Sequence, residues 1–395
     1  MKKLFCVCAL LIPLMIHAQI LKTDVLVLGN SNAAFSAGVQ ASESGVNTII
    51  LTQSDGFKLS DFKALPQTGV IIAFEKRARK SLKIADSVSL PEMTNQIVNA
   101  VIKNWSDSSK RFDVINNTSY DELKRSGSGW EVKLTKEKSI RAKVLIVPDN
   151  IEKILPQLKI QTLNTAETND LNYSENLYRT TIGGLNGTSK FISLYNLLIP
   201  NQENLIYINP NNLEIGQAAG ATAAYAAFYK TKISLSVLKA IQGELLSYKL
   251  PLIPFEDIKI ADSNWLAIQK IGITGILKAD LKNNKVFFNP EKEVTYSEIK
   301  QPIKDYYYKA QIWFDDYQNV PVNLENTISM VCYVGNKTVD AIKADLQKKW
   351  NKNFRFSSQY DLKRVLTRRE FAVIVNEYLS TFDLVNVDRT GRVIR

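Results

Sequence analysis

Three small residues at fixed spacing, Gly29, Ser31 and Ala34, directly follow the apolar run Val25-Leu26-Val27-Leu28. In a phosphate-cradling G-x-G-x-x-G/A turn, the first position takes a tight bend and the second lets backbone approach a pyrophosphate. The third lets helix and strand pack closely. The first and third positions are met here. Ser31 replaces the middle glycine, adding little volume and a hydroxyl able to donate to a phosphate. Gly29, Asn30, Ser31, Asn32, Ala33 and Ala34 are therefore candidate cofactor contacts. The acidic residue that would accept from ribose hydroxyls at the end of the next strand is replaced by Thr52, with Gln53 beside it. Two readings stay open: a nucleotide site with a substituted fingerprint, or a unit that keeps the fold and has lost its nucleotide.

The elements that must position these residues are legible. Val25–Leu28 reads as a buried parallel strand, a small-residue helix follows from about Asn32 to Ser44, and Gly45 closes it. Thr48–Leu51 is a second buried strand. Strand, glycine turn, helix and strand within ~30 residues form a βαβ unit of the dinucleotide-binding kind.

Ahead of this unit, Lys2 and Lys3 precede an apolar stretch from Leu4 to Ile16, and Ile16-His17-Ala18 precedes a cut before Gln19. Residues 1–18 thus read as a secretory signal peptide, too short to span a membrane. No lipid anchor is expected, because Cys6 and Cys8 lie inside the apolar stretch. Removal of the leader takes the only histidine, His17, and leaves Cys332 as the only cysteine. Histidine-dependent triads, the usual zinc sites and intrachain disulfides are then excluded, so no metal is expected. Catalysis must come from carboxylates, Lys, Arg, Tyr, Ser or Thr, or from a bound cofactor. The net charge falls from +11 to +9 with Lys2 and Lys3 gone. The basic residues are scattered apart from Lys76–Lys80 and Lys348-Lys349, with no aromatic interleaving, which argues against nucleic acid. No other stretch is long and apolar enough to be a transmembrane segment.

About 377 residues remain, enough for two domains. Ile71–Ala85 reads as helix. A helix starting at Pro91-Glu92 carries Met93, Ile97, Val98, Val101 and Ile102 on one face. Short strands follow near Phe112–Ile115, Trp130–Thr135 and Ile140–Val147, with SGSGW marking a turn. Leu235–Tyr248 is an amphipathic helix, and Pro251 and Pro254 mark a linker.

On these residues the chain resembles a known family. Trp130–Thr135 followed by Ala142–Val147 is similar to the segment of FAD-dependent oxidoreductases that leads to an Ala-Thr-Gly turn, read here as Pro148-Asp149-Asn150. Asn204–Ile208 and then Ile215-Gly216-Gln217-Ala218-Ala219-Gly220-Ala221-Thr222-Ala223-Ala224 resemble the last strand and helix of a secreted FAD-dependent oxidoreductase family whose bacterial members are often labelled xanthan lyases. The resemblance implies an α/β fold: a Rossmann-like FAD/NAD(P)-binding domain with a three-stranded β-meander over residues 19–250. It implies FAD as cofactor, with Gly216, Gln217 and Ala218 added to the contacts, the small residues letting the helix approach a planar ring. The chain departs from the family after the last strand, at Asn209-Pro210, and in a short substrate insert, Ile151–Thr188. Within that stretch Arg179 with Gly183-Gly184 and Gly187 could clamp a small anion or form a solvated loop.

Residues 251–395 read as a small, mainly helical domain resembling S-layer homology repeats. A Gly272-Ile273 turn and a Phe288-Asn289-Pro290 loop lead to capping boxes at Thr295–Glu298 and Thr367–Glu370. Tyr306-Tyr307-Tyr308 and Trp313-Phe314 could stack on sugars or form this domain's core, and Asp388–Gly391 reads as a hairpin turn. The expectation is a secreted or periplasmic FAD-dependent oxidoreductase-like protein acting on a small, sugar-derived or other organic substrate. The alternative is a pseudoenzyme without FAD that binds envelope polysaccharide or serves as scaffold.

Overall fold

The computed structural model describes residues 20–59, 65, 67–135, 138–148, 155–158, 168–208 and 212–394. The leader, Asp149-Asn150 and Asn209-Pro210 lie outside the described residues. The first unit folds as its pattern dictates: β1 (Ile20–Leu28), α1 (Asn32–Glu43) and β2 (Thr48–Leu51). Val25 and Val27 enter one apolar core while Leu26 and Leu28 enter another on the opposite face, as the two-residue side-chain period of a strand requires. Both faces of the sheet are covered at its centre, where Val25–Leu28 is an unbroken apolar run.

Helices α2 (Gly69–Leu82) and α3 (Asn95–Ser108) lead to β3 (Phe112–Ile115), which pairs parallel with β2. Helix α3 begins four residues beyond the expected Pro91 start, because Thr94 supplies the cap and accepts from the Ile97 N–H at 3.4 Å. The meander comprises β4 (Tyr120–Ser126), β5 (Gly129–Leu134) and the first half of β6 (Ser139–Val147), joined antiparallel. Gly127, at φ 61°, makes the β4–β5 turn. On its other edge β6 pairs parallel with β1 from Ser139 to Ile146, Leu26 opposite Leu145. A small antiparallel sheet of β7 (Thr181–Gly184), β8 (Lys190–Ser193) and Asn169-Asp170 follows. Then β9 (Gln202–Tyr207) joins β6 in parallel, giving the order β9-β6-β1-β2-β3. The chain builds outward from β1 to one side and returns on the other, so the topological switch point lies between β1 and β6. Two helices, α4 (Leu213–Tyr229) and α5 (Leu238–Ser247), complete this half.

The rest is mainly helical: α6 (Trp265–Thr274), α7 (Tyr296–Tyr306), α8 (Tyr308–Asp316), α9 (Leu324–Gly335), α10 (Val339–Lys349) and α11 (Arg368–Leu379). Both expected capping boxes form, Thr295 with Glu298 and Thr367 with Glu370. Tyr306, Trp313 and Phe314 are buried, whereas Tyr308 is 73% exposed. One continuous apolar core runs from α1 and α4 through α6 to α11. Arg179 staples the two halves: it is buried and donates to the Thr274 carbonyl at 3.0 Å, Asn176 Oδ1 at 2.8 Å and the Gly391 carbonyl at 3.3 Å. It is therefore neither the anion clamp nor the solvated loop residue that the sequence suggested. Among the described residues no helix is long and apolar enough to cross a membrane, and no group of three or more His, Cys, Asp or Glu could hold a metal.

Candidate functional site

Helices α1 and α4 lie side by side and point the same way. An ideal Cβ on Gly216 would sit 2.4 Å from the Ala33 carbonyl oxygen, and one on Gly220 2.3 Å from that of Ala37. Contacts that advance together, 33 with 216 and 37 with 220, mean parallel axes. Ser36 Oγ ties the pair by donating to the Leu213 carbonyl at 2.8 Å. Gly216 and Gly220 are thus the residues that let two backbones meet, and not a platform for a planar ring. Gln217 is buried and donates to Gln40 Oε1 at 2.9 Å and the Tyr248 carbonyl at 3.3 Å, while Ala218 is core.

The parallel arrangement has an electrostatic consequence. Both helices start at carboxyl ends of strands beside the switch point, so two positive dipole ends open onto one crevice. At the first, Gly29 takes φ 132° and its N–H donates to the Leu51 carbonyl at 2.9 Å. Ser31 caps α1, accepting from the Ala34 N–H at 3.3 Å. Ala33 and Ala34 are buried, whereas Gly29, Asn30, Ser31 and Asn32 are half-buried at the mouth. Asn30 is tied to the covering segment twice, its side-chain amide donating to the Gly56 carbonyl at 2.9 Å and its backbone carbonyl accepting from the Lys58 N–H at 3.3 Å. Asn99 fixes that covering segment, exchanging bonds with Phe57 N and O at 2.8 and 3.0 Å. Thr52 is buried with its hydroxyl accepting from the Ser54 N–H at 3.1 Å, and Gln53 is exposed.

At the second helix end, Asn212 caps α4 through the Ile215 N–H at 2.9 Å. Glu214, in the first turn, is buried, and desolvation raises its pKa. It accepts from the Asn186 N–H at 3.4 Å and borders a cleft of about 1100 Å³. This cleft lies where α2, the β7 loop, the 249–262 segment and α6 meet. None of the fingerprint residues lines it. Sequence reasoning missed it because its walls come from distant stretches: Thr68, Glu214, Lys249, Lys259, Trp265 and Arg355. The two prolines at 251 and 254 were the only local signal, and Gly184 packs directly on Pro254.

No protein-family model and no curated protein matches the chain. Solved structures align with part of it. Bacillithiol disulfide reductase Bdr (YpdA) from Staphylococcus aureus is 16% identical over 33% of this chain and 39% of its own, at a TM-score of 0.22. A flavoprotein/dehydrogenase from Cytophaga hutchinsonii is 14% identical over 38% of this chain and 44% of its own, at 0.27. The flavin-dependent monooxygenase PieE is 16% identical over 38% of this chain and 34% of its own, at 0.26. The chain spans less than half the length of each of these.

Proposed function

We propose that this chain is a flavoprotein-type oxidoreductase that holds FAD across the switch point and takes an organic substrate from the cleft beside Glu214. The observation that carries this reading is the parallel α1–α4 pair, whose two positive ends converge where a pyrophosphate would lie. Gly29 bends the backbone beneath it, and Ser31 and Asn32 stand at the mouth. FAD, when bound, supplies a two-electron acceptor. The chain's own residues would exclude water through Phe57 and Phe35, position the helix ends through Gly216 and Gly220, and hold a proton on the Glu214 carboxyl. Gln53, exposed beyond Thr52, would face the ribose end, where no carboxylate stands. The leader at 1–18 supports secretion or a periplasmic place.

One observation favours the second reading, a scaffold or envelope-binding protein without FAD. The side-chain N–H and backbone carbonyl of Asn30 and the hydroxyl of Thr52 are already bonded to their own chain. The visible spectrum of the purified protein, before and after adding FAD, decides between the two. A retained or acquired flavin band supports the first, and a protein that stays colourless after FAD addition and desalting supports the second.

A further inference from the structure

Helix α2 opens onto the cleft without the finish that its neighbours have. Thr68 occupies its N-cap position in extended backbone, yet its side chain caps nothing. The hydroxyl is fully buried and has no hydrogen-bond partner among the described residues, in a residue that lines the cleft. No acidic residue stands in the helix's first turn, so its free N–H groups and positive dipole end are unanswered. A third positive feature adjoins them. An ideal Cβ on Gly69 would sit 1.8 Å from the Tyr248 carbonyl oxygen, so the chain at 248–249 abuts this turn. Lys249, in left-handed backbone at φ 59°, carries its ammonium 4.9 Å above the Trp265 ring with no ion pair among the described residues. Of the three carboxylates that line the cleft among the described residues, Glu256 is paired with Lys285 at 3.2 Å and Asp262 with Arg369 at 2.7 Å, and burial disfavours the charged form of Glu214.

We propose that this end of the cleft binds a small organic anion, its carboxylate or phosphate on Thr68, the α2 N-terminus and Lys249, and its apolar body on Trp265 and Phe255. A charged oxygen there completes the missing cap and accepts from both the hydroxyl and the ammonium. With an apolar wall beside the charged end, an anion that carries an apolar body should bind more tightly than an inorganic ion alone. Binding stands whether or not FAD is held; that the anion is the substrate rests on the reading above.

The test is calorimetric titration of the full mature chain, its flavin content recorded separately by spectrum, with phenylacetate, phenyl phosphate and uncharged 2-phenylethanol. At least one anion should bind, about tenfold or more tighter than the alcohol, and the tighter of the two identifies the head group. Lys249→Gln should weaken it about tenfold, while Lys103→Gln on the exposed face of α3 should not. Thr68→Val should weaken binding with an unchanged or higher melting temperature, because it removes an unpartnered buried hydroxyl. A merely structural threonine would show the reverse. Failure of both anions, equal binding of the alcohol, or unchanged affinity in both Lys249→Gln and Thr68→Val overturns the proposal. Should Lys249→Gln not fold, Thr68→Val alone decides.

Discussion

Helices α1 and α2 begin alike, each with a hydroxyl residue at the cap position and no acid in the first turn, yet they are finished differently. At α1, Ser31 accepts from Ala34, and Asn30 is tied to the 56–58 segment through its side-chain amide and its backbone carbonyl. At α2, Thr68 bonds nothing, though the same residue type at Thr94 and Thr367 caps α3 and α11. Buried polar groups in folded proteins are almost always paired. A satisfied turn is therefore complete without a ligand, and an unsatisfied one is waiting for a partner. The sequence fingerprint marks the first place, and hydrogen-bond accounting marks the second.

The contrast breaks most severely at Gly220. Gly220→Val should destabilise the fold by about 3 kcal/mol, since an added side chain meets backbone rather than a flexible side chain. Chemical denaturation would show it, and a neutral result would mean that α1 and α4 are not in register as described. Next in size is Thr52→Asp. An aspartate can keep the bond to the Ser54 N–H and restore an acceptor for ribose, so FAD affinity should rise about tenfold. Fluorescence titration measures it, and no gain would place the adenosine end elsewhere. The smallest effect is at Glu214. Burial raises its pKa above the ordinary 4.5, so its ionisation is disfavoured in the folded chain. The protonated form's contribution is full below the unfolded value and is lost as pH rises through the folded one. Glu214→Gln should therefore melt higher than the parent at about pH 7, with the gain vanishing near pH 4. A gain independent of pH would show that packing, not charge, sets it.

In the β1-α1-β2 unit the helix and the second strand were legible almost to the residue, because a buried parallel strand and a small-residue helix leave strong patterns. Strand β1 begins at Ile20, five residues before the expected Val25, where its polar residues hide the strand. The strand Tyr120–Ser126 was not expected, since it lies on the exposed side of the meander and buries only Leu123. Gly216 and Gly220 announced a close approach but not its partner, because a small residue says only that something is near. Thr68 gave no sign at all. Threonine before a helix reads as an ordinary cap, and only coordinates show that the bond is missing.

The staple at Arg179 also sets a schedule. Its acceptor at Gly391 lies 212 residues further along the chain, and Gly391 in turn sits against the Asn176 carbonyl. At 5–20 residues per second, synthesis of that interval takes roughly 10–40 s. Asn176 and Thr274 are available to the guanidinium earlier, so the bond to Gly391 is the last of its three to form and closes the seam between the two halves only when the tail arrives.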